Sequence, residues 1–415
     1  MKNVQTINRA ISERRAKVFT AAEIKELVRK GNTPNEDDVD VVTCGTFGVM
    51  SGTMAMFSIP VSEPGKFQKA DSITLNGVKG YPGPCPNESL GIVDCIVYGT
   101  EHRNMFYGGG HLFKDLVRGC PINIKIISDK KTIEKRLSLK DIPFARMIIT
   151  RGAFKNYTGF VNPEKDTFRT IFSVTGMHGL FDEMSVSGCG EINPLENDPD
   201  AVHLRGGVPV MINGSKGMIM GDGTRSSIDR RNLSAYADMK DMDPNMMGGF
   251  VTSSGPECLT SVAVAIPITD EISLKNVCIL DENIKIPISN VHTRMSMGEG
   301  RYSDVWKGTD RRISVNSENC RKCSMCDASN VCPVGAAHTA SIDETSCVVC
   351  GACVQACKHK VFNADLGRMI LNDAEVSITL RQSDRNRAEE LCSVLKRKIE
   401  CGEWYVGGLQ WDHTG

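Results

Sequence analysis

Apolar residues recur along this chain in two periods, and the switches between them mark its elements. Between Thr20 and Gly31, Ile24, Leu27 and Val28 fall on one helical face behind a Thr-Ala-Ala-Glu capping box formed by Thr20 and Glu23. Gly31 is placed to end that helix. Residues 39–43 are a short β-branched run that predicts a buried strand. This run leads into Cys44-Gly45-Thr46-Phe47-Gly48 and then Ser51-Gly52-Thr53. Small, flexible residues at a strand end are where α/β folds place their sites. A Gly/Pro loop is expected over 76–91 and an apolar strand over 92–98. Tyr107-Gly108-Gly109-Gly110-His111 follows, then a helix over 112–117 that ends near Gly119-Cys120-Pro121. Residues 208–213 and 262–268 are strand-like, and 218–225 reads as a turn with a charged tip, Gly-Asp-Gly-Thr-Arg. Over 384–400, Ala388, Leu391, Val394, Leu395 and Ile399 form one helical face. Glycine-ended strands with helices between them predict a mixed α/β large domain.

The length of 415 residues favours two or three domains. The net charge of −1 gives no global field that would draw in nucleic acid or an anionic membrane, and 6% aromatic residues offer little base-stacking surface. The longest apolar run, near 261–268, is far short of the roughly 18 residues needed to span a bilayer. Residues 1–29 alternate charged and apolar positions with no signal-peptide core, so a cytoplasmic location is expected. No GxGxxG or P-loop stands in the chain, so a nucleotide cofactor has no support.

Cysteine changes the picture. Of 17 cysteines, eight fall between Cys320 and Cys357, as Cys320-x2-Cys323-x2-Cys326-x5-Cys332 and Cys347-x2-Cys350-x2-Cys353-x3-Cys357. Two CxxCxxC triplets, each followed by a fourth cysteine, match the pattern that holds two [4Fe–4S] clusters. Three thiolates on one loop reach three irons of a cubane, and the fourth comes from the other half. The predicted sets are Cys320, Cys323, Cys326 and Cys357 for one cluster, and Cys347, Cys350, Cys353 and Cys332 for the other. A zinc ribbon pairs two CxxC knuckles and needs no third cysteine two residues further on. The first run departs from the usual spacing by its x5 interval, and Lys358 stands where proline often follows. An α+β ferredoxin-like domain is therefore expected at 313–365, inserted between 1–312 and a closing segment 366–415 that packs back on the large domain. Such a module carries electrons one at a time and implies a low-potential electron donor. The other nine cysteines are scattered, and scattered cysteines are most often small buried apolar residues.

Cys44-Gly45-Thr46-Phe47-Gly48, Tyr107-Gly108-Gly109-Gly110-His111, Gly223-Thr224-Arg225, residues 239–244 and the tail 380–403 resemble the homocysteine-biosynthesis family. With the built-in ferredoxin, the whole chain resembles the methanogenesis marker 16 metalloproteins of methanogenic archaea. The resemblance implies reductive sulfur transfer of the L-aspartate semialdehyde sulfurtransferase type, with a small carbonyl compound and a sulfur donor as partners. The alternative is an electron-transfer or assembly protein serving methanogenesis enzymes, with no sulfur-transfer activity. The family pattern carries a cysteine shortly after Gly-Thr-Phe-Gly, where this chain reads Met50-Ser51-Gly52, and a second downstream of the triple glycine, near Cys120.

The candidate catalytic residues are Cys44, Cys120 and His111. Cys44 is either a thiolate activated by backbone amides or a buried, inert cysteine. Cys120 is either a nucleophile or a surface residue. His111 suits acid–base work or an anion contact. Gly108, Gly109 and Gly110 form an anion-binding concavity or a plain tight turn. Arg225 and Arg381 suit bidentate carboxylate binding or a solvated surface. An oligomer is compatible with all of this.

Overall fold

The Val41–Val49 strand is the spine of the molecule. It pairs antiparallel with Gly255–Pro267, in a register that sets Cys44 opposite Val264 and Val49 opposite Leu259. Val41 to Gly48 are all buried, as is every residue from Gly255 to Pro267. A strand covered on both faces reads as a near-continuous run of small and apolar residues, without polar alternation. This corrects the loop expected after residue 43: Cys44 to Gly48 lie inside the strand. Its glycines serve close packing. A Cβ on Gly45 would come within 2.7 Å of Cys392 Sγ, and one on Gly48 within 2.7 Å of Gln382 O.

The computed structural model describes residues 2–83, 88–128, 131–155 and 157–408. The expected loop cysteine Cys85 lies outside them. The fold is mixed α/β, with a fourteen-stranded sheet and a six-stranded sheet among the described residues. The large sheet runs from Val18–Thr20 through Val41–Val49 and Gly255–Pro267 to Leu233–Asp238, Phe144–Ile149, Thr53–Pro60 and Ile92–Tyr98. It curls back on itself, because the two strands joined by residues 50–52 lie far apart in that order. Met50 N–H donates to Cys258 O (2.8 Å) while Thr150 N–H donates to Gly52 O (2.9 Å). The expected turn at 218–225 is half strand, since Ser215–Asp222 pairs with Leu233–Asp238 before the chain turns. Val78–Pro82, within the expected Gly/Pro loop, is also a strand.

The smaller sheet takes in Gly159–Val161, Met184–Val186, Lys285–Asn290 and the late strands Arg368–Leu371 and Ala374–Arg381. The cysteine-rich segment leaves and rejoins the rest of the chain side by side, because Ser314–Val315 pairs antiparallel with Phe362–Asn363. No helix among the described residues is long and apolar enough to cross a membrane.

The helices follow their sequence signals. Ala21–Arg29 starts at the Thr20–Glu23 capping box, and Gly31 turns the chain out at φ +76°. Arg385–Glu400 is capped by Asp384 and buries Ala388, Leu391, Cys392, Leu395 and Ile399. Its first residue anchors it. Arg385 donates to Asp281 Oδ2 (2.6 Å) and Glu191 Oε1 (2.7 Å), and Glu191 is also gripped by Arg29 at 2.8 and 2.6 Å. One network thus joins the Ala21–Arg29 helix, the 281 turn and the last helix. Replacing Arg385 with Met leaves two buried carboxylates short of a cation. Such a break costs about 3–5 kcal/mol, to be read as a lower urea midpoint at unchanged slope.

Thiols fill the core. Burial pushes Cys44, Cys95 and Cys258 up to about 12 and Cys189 up to about 11. Lys25, fully buried beside Cys44, is pushed down to about 8 by burial and hydrogen-bonds Asn197 Oδ1 (2.6 Å) and Val277 O (2.5 Å). The two effects oppose each other. Above pH 9 the unfolded chain loses thiol protons that the native state keeps, which lowers stability as pH rises; between pH 8 and 10.5 Lys25 acts the other way. Several thiols outweigh one lysine. Denaturation midpoints should therefore fall steadily between about pH 9 and 11, by up to about 1.4 kcal/mol per pH unit for each net group.

Candidate functional site

The triple glycine opens the Gly109–Val117 helix, one turn earlier than expected. All three glycines are buried, and each would press a Cβ into backbone: Gly108 into Glu101 O, Gly109 into Tyr98 O and Gly110 into Gly248 O. Their task is to let the helix start lie flat on neighbouring strands, which is close approach to protein backbone. That approach places His111 on the third helical position. Gly108 N–H donates to His111 Nδ1 (3.3 Å), so the neutral ring carries its proton on Nε2. Burial pushes His111 down to about 4. The ring stacks on Tyr107 at 5.5 Å, and Tyr107 OH donates to Asp115 Oδ2 (2.7 Å).

His111 and Tyr107 line a cavity of about 170 Å³ with Lys114, Asp115, Arg118 and Phe47. Lys114 is pushed down to about 8 by burial and by the charges of Arg118 and Arg387. Lys114, Arg118 and Arg387 meet Asp115 on the lining and Asp384, which pairs with Arg387 (2.8 Å), so the cavity keeps a small positive excess that suits an anion. Its far wall comes from the cysteine-rich segment, through Val334, Ser346 and Val348. Arg387 bridges the walls. Its guanidinium donates to Cys347 O (2.5 Å), Thr345 O and Asp384 Oδ2 (2.8 Å), and lies 5.4 Å over the Phe47 ring. Val251 N–H also bonds Pro333 O, beside Cys332 (2.9 Å).

The eight cysteines are free of disulfides and sit on two similar loops. Lys322 and Val349, each two residues after the first cysteine of its triplet, both adopt left-handed backbone (φ +50° and +51°). Each turns its N–H back on that cysteine, Lys322 to Cys320 Sγ (3.5 Å) and Val349 to Cys347 Sγ (3.4 Å). Ala336 and Ala337 aim theirs at Cys332 Sγ (3.2 and 3.3 Å). A β-branched residue at positive φ costs of order 1–3 kcal/mol and persists where function holds it. Here the strained turns wrap sulfur in N–H groups, the environment an iron–sulfur cluster needs. Cys332, Cys347, Cys350 and Cys353 stand close enough that ionising one disfavours ionising the others. They are the four that the two-cluster pattern assigns to one set.

The remaining candidates lie elsewhere. Cys44 is fully buried in mid-strand, does not line the cavity, and at about 12 keeps its proton at neutral pH. Cys120 is exposed just beyond the far end of the helix that begins at Gly109. Arg225 is beside Arg151, on the 223–225 turn. The Arg381 guanidinium is spent on Asp310 O, Val305 O, Leu366 O and Thr309 Oγ1, between 2.6 and 2.9 Å, tying the two ends of the cysteine-rich segment together. Sequence reasoning missed Lys114, Arg118 and Arg387. Lys114 and Arg118 follow His111 at helical spacing, which was a usable signal, whereas nothing local linked Arg387 to them.

The model of a family described as homocysteine biosynthesis enzyme, sulfur-incorporation, matches residues 16–406. An uncharacterized protein of Methanothermobacter thermautotrophicus is 43% identical over 410 residues, covering 98% of this chain and 95% of that protein. An uncharacterized protein of Methanocaldococcus jannaschii is 40% identical across 95% of this chain and 100% of its own length. The L-aspartate semialdehyde sulfurtransferase of Methanocaldococcus jannaschii is 28% identical over 306 residues, covering 69% of this chain and 58% of the enzyme. No solved structure matches the chain. From the Val41–Val49 spine to the closing helix, the chain belongs to the homocysteine biosynthesis family of sulfur-incorporating enzymes.

Proposed function

We propose that this protein is a reductive sulfur-transfer enzyme acting on a small carbonyl compound, of the kind that turns aspartate semialdehyde into homocysteine. The observation that carries the reading is the cation-lined cavity with His111 on one wall and the Cys347–Cys350 loop on the other. Cys320, Cys323, Cys326 and Cys357 would hold one [4Fe–4S] cluster, and Cys332, Cys347, Cys350 and Cys353 the second. When bound, such clusters supply low-potential electrons singly.

The chain's own residues supply the rest. Lys114 and Arg118 hold the substrate carboxylate, and Arg387, bonded to Cys347 O, Thr345 O and Asp384, fixes the wall beside them. His111 presents its Nε2 proton to the carbonyl oxygen as sulfur adds, and so helps it leave as water. No cysteine among the described residues lines the cavity; in this reading the sulfur enters as hydrosulfide, an anion that the same cations attract. The balance is aldehyde plus hydrogen sulfide plus two electrons and two protons, giving thiol plus water. The sealed position of Cys44 and the lack of a cavity thiol also suit the second reading, an electron-transfer or assembly protein with no sulfurtransferase activity.

An anaerobic assay of cluster-loaded protein with sulfide, a low-potential reductant and aspartate semialdehyde separates the two readings. Homocysteine should form, and Cys44→Ala should leave the rate within about twofold. His111→Asn should lower kcat about 100-fold, and Lys114→Met should raise KM about tenfold. The KM should also climb as pH rises through about 8, where Lys114 loses its charge, while His111 stays neutral throughout. Absence of thiol from fully loaded protein would sink the enzyme reading. Separately, Cys353→Ser should lose one cluster's share of iron and its visible absorbance; full retention of iron would overturn the ligand assignment.

A further inference from the structure

The two sets of cysteines differ in how they meet solvent. In the set Cys332, Cys347, Cys350 and Cys353, Cys350 and Cys353 are buried, at 7% and 6% exposed. Val334, two residues beyond Cys332, and Ser346 and Val348, on either side of Cys347, line the His111 cavity. This set is the inner one, turned toward the large domain. In the set Cys320, Cys323, Cys326 and Cys357 no cysteine is buried, and Cys323 is exposed. Met325, between Cys323 and Cys326, is 70% exposed. Its flexible thioether chain offers an adaptable apolar contact beside this outer set.

Charge follows the same division. Every lysine and arginine of residues 313–365 stands beside a cysteine of the outer set. Arg321 and Lys322 lie between Cys320 and Cys323, and Lys358 and Lys360 follow Cys357. All of them are exposed, as is His359. The two turns meet, because Asn319 Nδ2 donates to Lys360 O (3.3 Å) and Asn316 N–H to Val361 O (2.7 Å). None of these cations forms an ion pair among the described residues. Glu318 and Asp327, exposed on the same side of the sequence, offset only part of the charge. The remaining carboxylates of the segment lie elsewhere: Asp343 and Glu344 precede Cys347 of the inner set, and Asp365 pairs with Arg368 (3.3 Å). On a chain of net charge −1, this is a local positive field.

Exposed, unpaired cations around a solvent-facing set of cysteines suit a negatively charged partner, which they would steer and orient. A nucleic acid would find no base-stacking platform there, since Phe362, the aromatic ring of the segment, is buried. We propose that the turns 320–323 and 357–360, with Met325, form the docking surface for an acidic iron–sulfur electron-carrier protein. Electrons then enter at the outer set and leave toward the cavity from the inner set. In each encounter the carrier is oxidised by one electron and one cluster is reduced by one, with no bond made or broken. Two encounters supply the two electrons consumed per thiol. The proposal rests on the assignment of clusters to the eight cysteines and is independent of which carbonyl compound is the substrate.

Anaerobic stopped-flow mixing of the intact, cluster-loaded protein tests it, read as reoxidation of the reductant. The probes are a reduced acidic two-cluster ferredoxin and reduced methyl viologen, a small cation. With the ferredoxin, the second-order rate constant should fall at least about tenfold between about 20 mM and 500 mM salt, whereas with viologen it should not fall. Lys322→Glu with Lys358→Glu should slow the ferredoxin at least about tenfold at low salt and leave viologen no slower. Lys360→Gln alone should slow the ferredoxin about twofold. Lys66→Glu with Lys69→Glu, exposed outside the cysteine-rich segment, should stay within about twofold of the parent. Iron content shows that each variant is loaded. A ferredoxin rate indifferent to salt, parental rates in the fully loaded Lys322→Glu, Lys358→Glu protein, or equal slowing of viologen would each overturn the docking surface. A chain that takes up no iron would overturn it together with the cluster assignment. Failure to make thiol in the assay above would leave it standing.

Discussion

The antiparallel pairing of Val41–Val49 with Gly255–Pro267 is the constraint on which the rest of the molecule depends. Both strands are covered on both faces, so neither can slip by a residue without exchanging the side chains that face each layer. That fixed register directs Phe47 toward the cavity and the last helix. It keeps Cys44 beside Lys25, sealed from solvent.

The last helix turns this spine into a site. Arg385 locks it to Glu191 and Asp281, and Cys392 packs against Gly45, where no larger residue fits. Two residues on, Arg387 reaches the backbone of Thr345 and Cys347 while lining the cavity. Arg381, just before the helix, binds the Cys350 carbonyl through its own N–H (3.0 Å) and gathers both ends of the cysteine-rich segment. One short stretch, 381–387, therefore sets the distance between the cysteine loops and the cations opposite. Its polar atoms are directed mainly at backbone carbonyls, which fixes geometry without depending on neighbouring side chains.

Local signals were legible wherever the physics is local. The Thr20–Glu23 capping box, the Asp384-capped helix and the Ile92–Tyr98 strand follow from residues within a few positions of one another. The glycines misled. Gly45 and Gly48 look like a loop, yet they lie inside a strand because Cys392 and Gln382, more than 330 residues away, leave no room for a Cβ. Gly108 to Gly110 look like a cradle for a ligand but serve helix-to-strand contact.

Two sets of four cysteines, with Cys332 placed beside Cys347, Cys350 and Cys353, can be posed from the chain alone, because the two-cluster pattern takes each fourth ligand from the other half. The sequence also determined the family resemblance and His111 as a residue to watch. Packing alone brings Lys114, Arg118 and Arg387 around His111, seals Cys44, and leaves Glu257 Oε2 without a hydrogen-bond partner among the described residues. Each of these depends on which distant strands and helices pack together and on which face a residue then takes. Charge, exposure and hydrogen-bond partners are properties of that packing, and no window of sequence contains it.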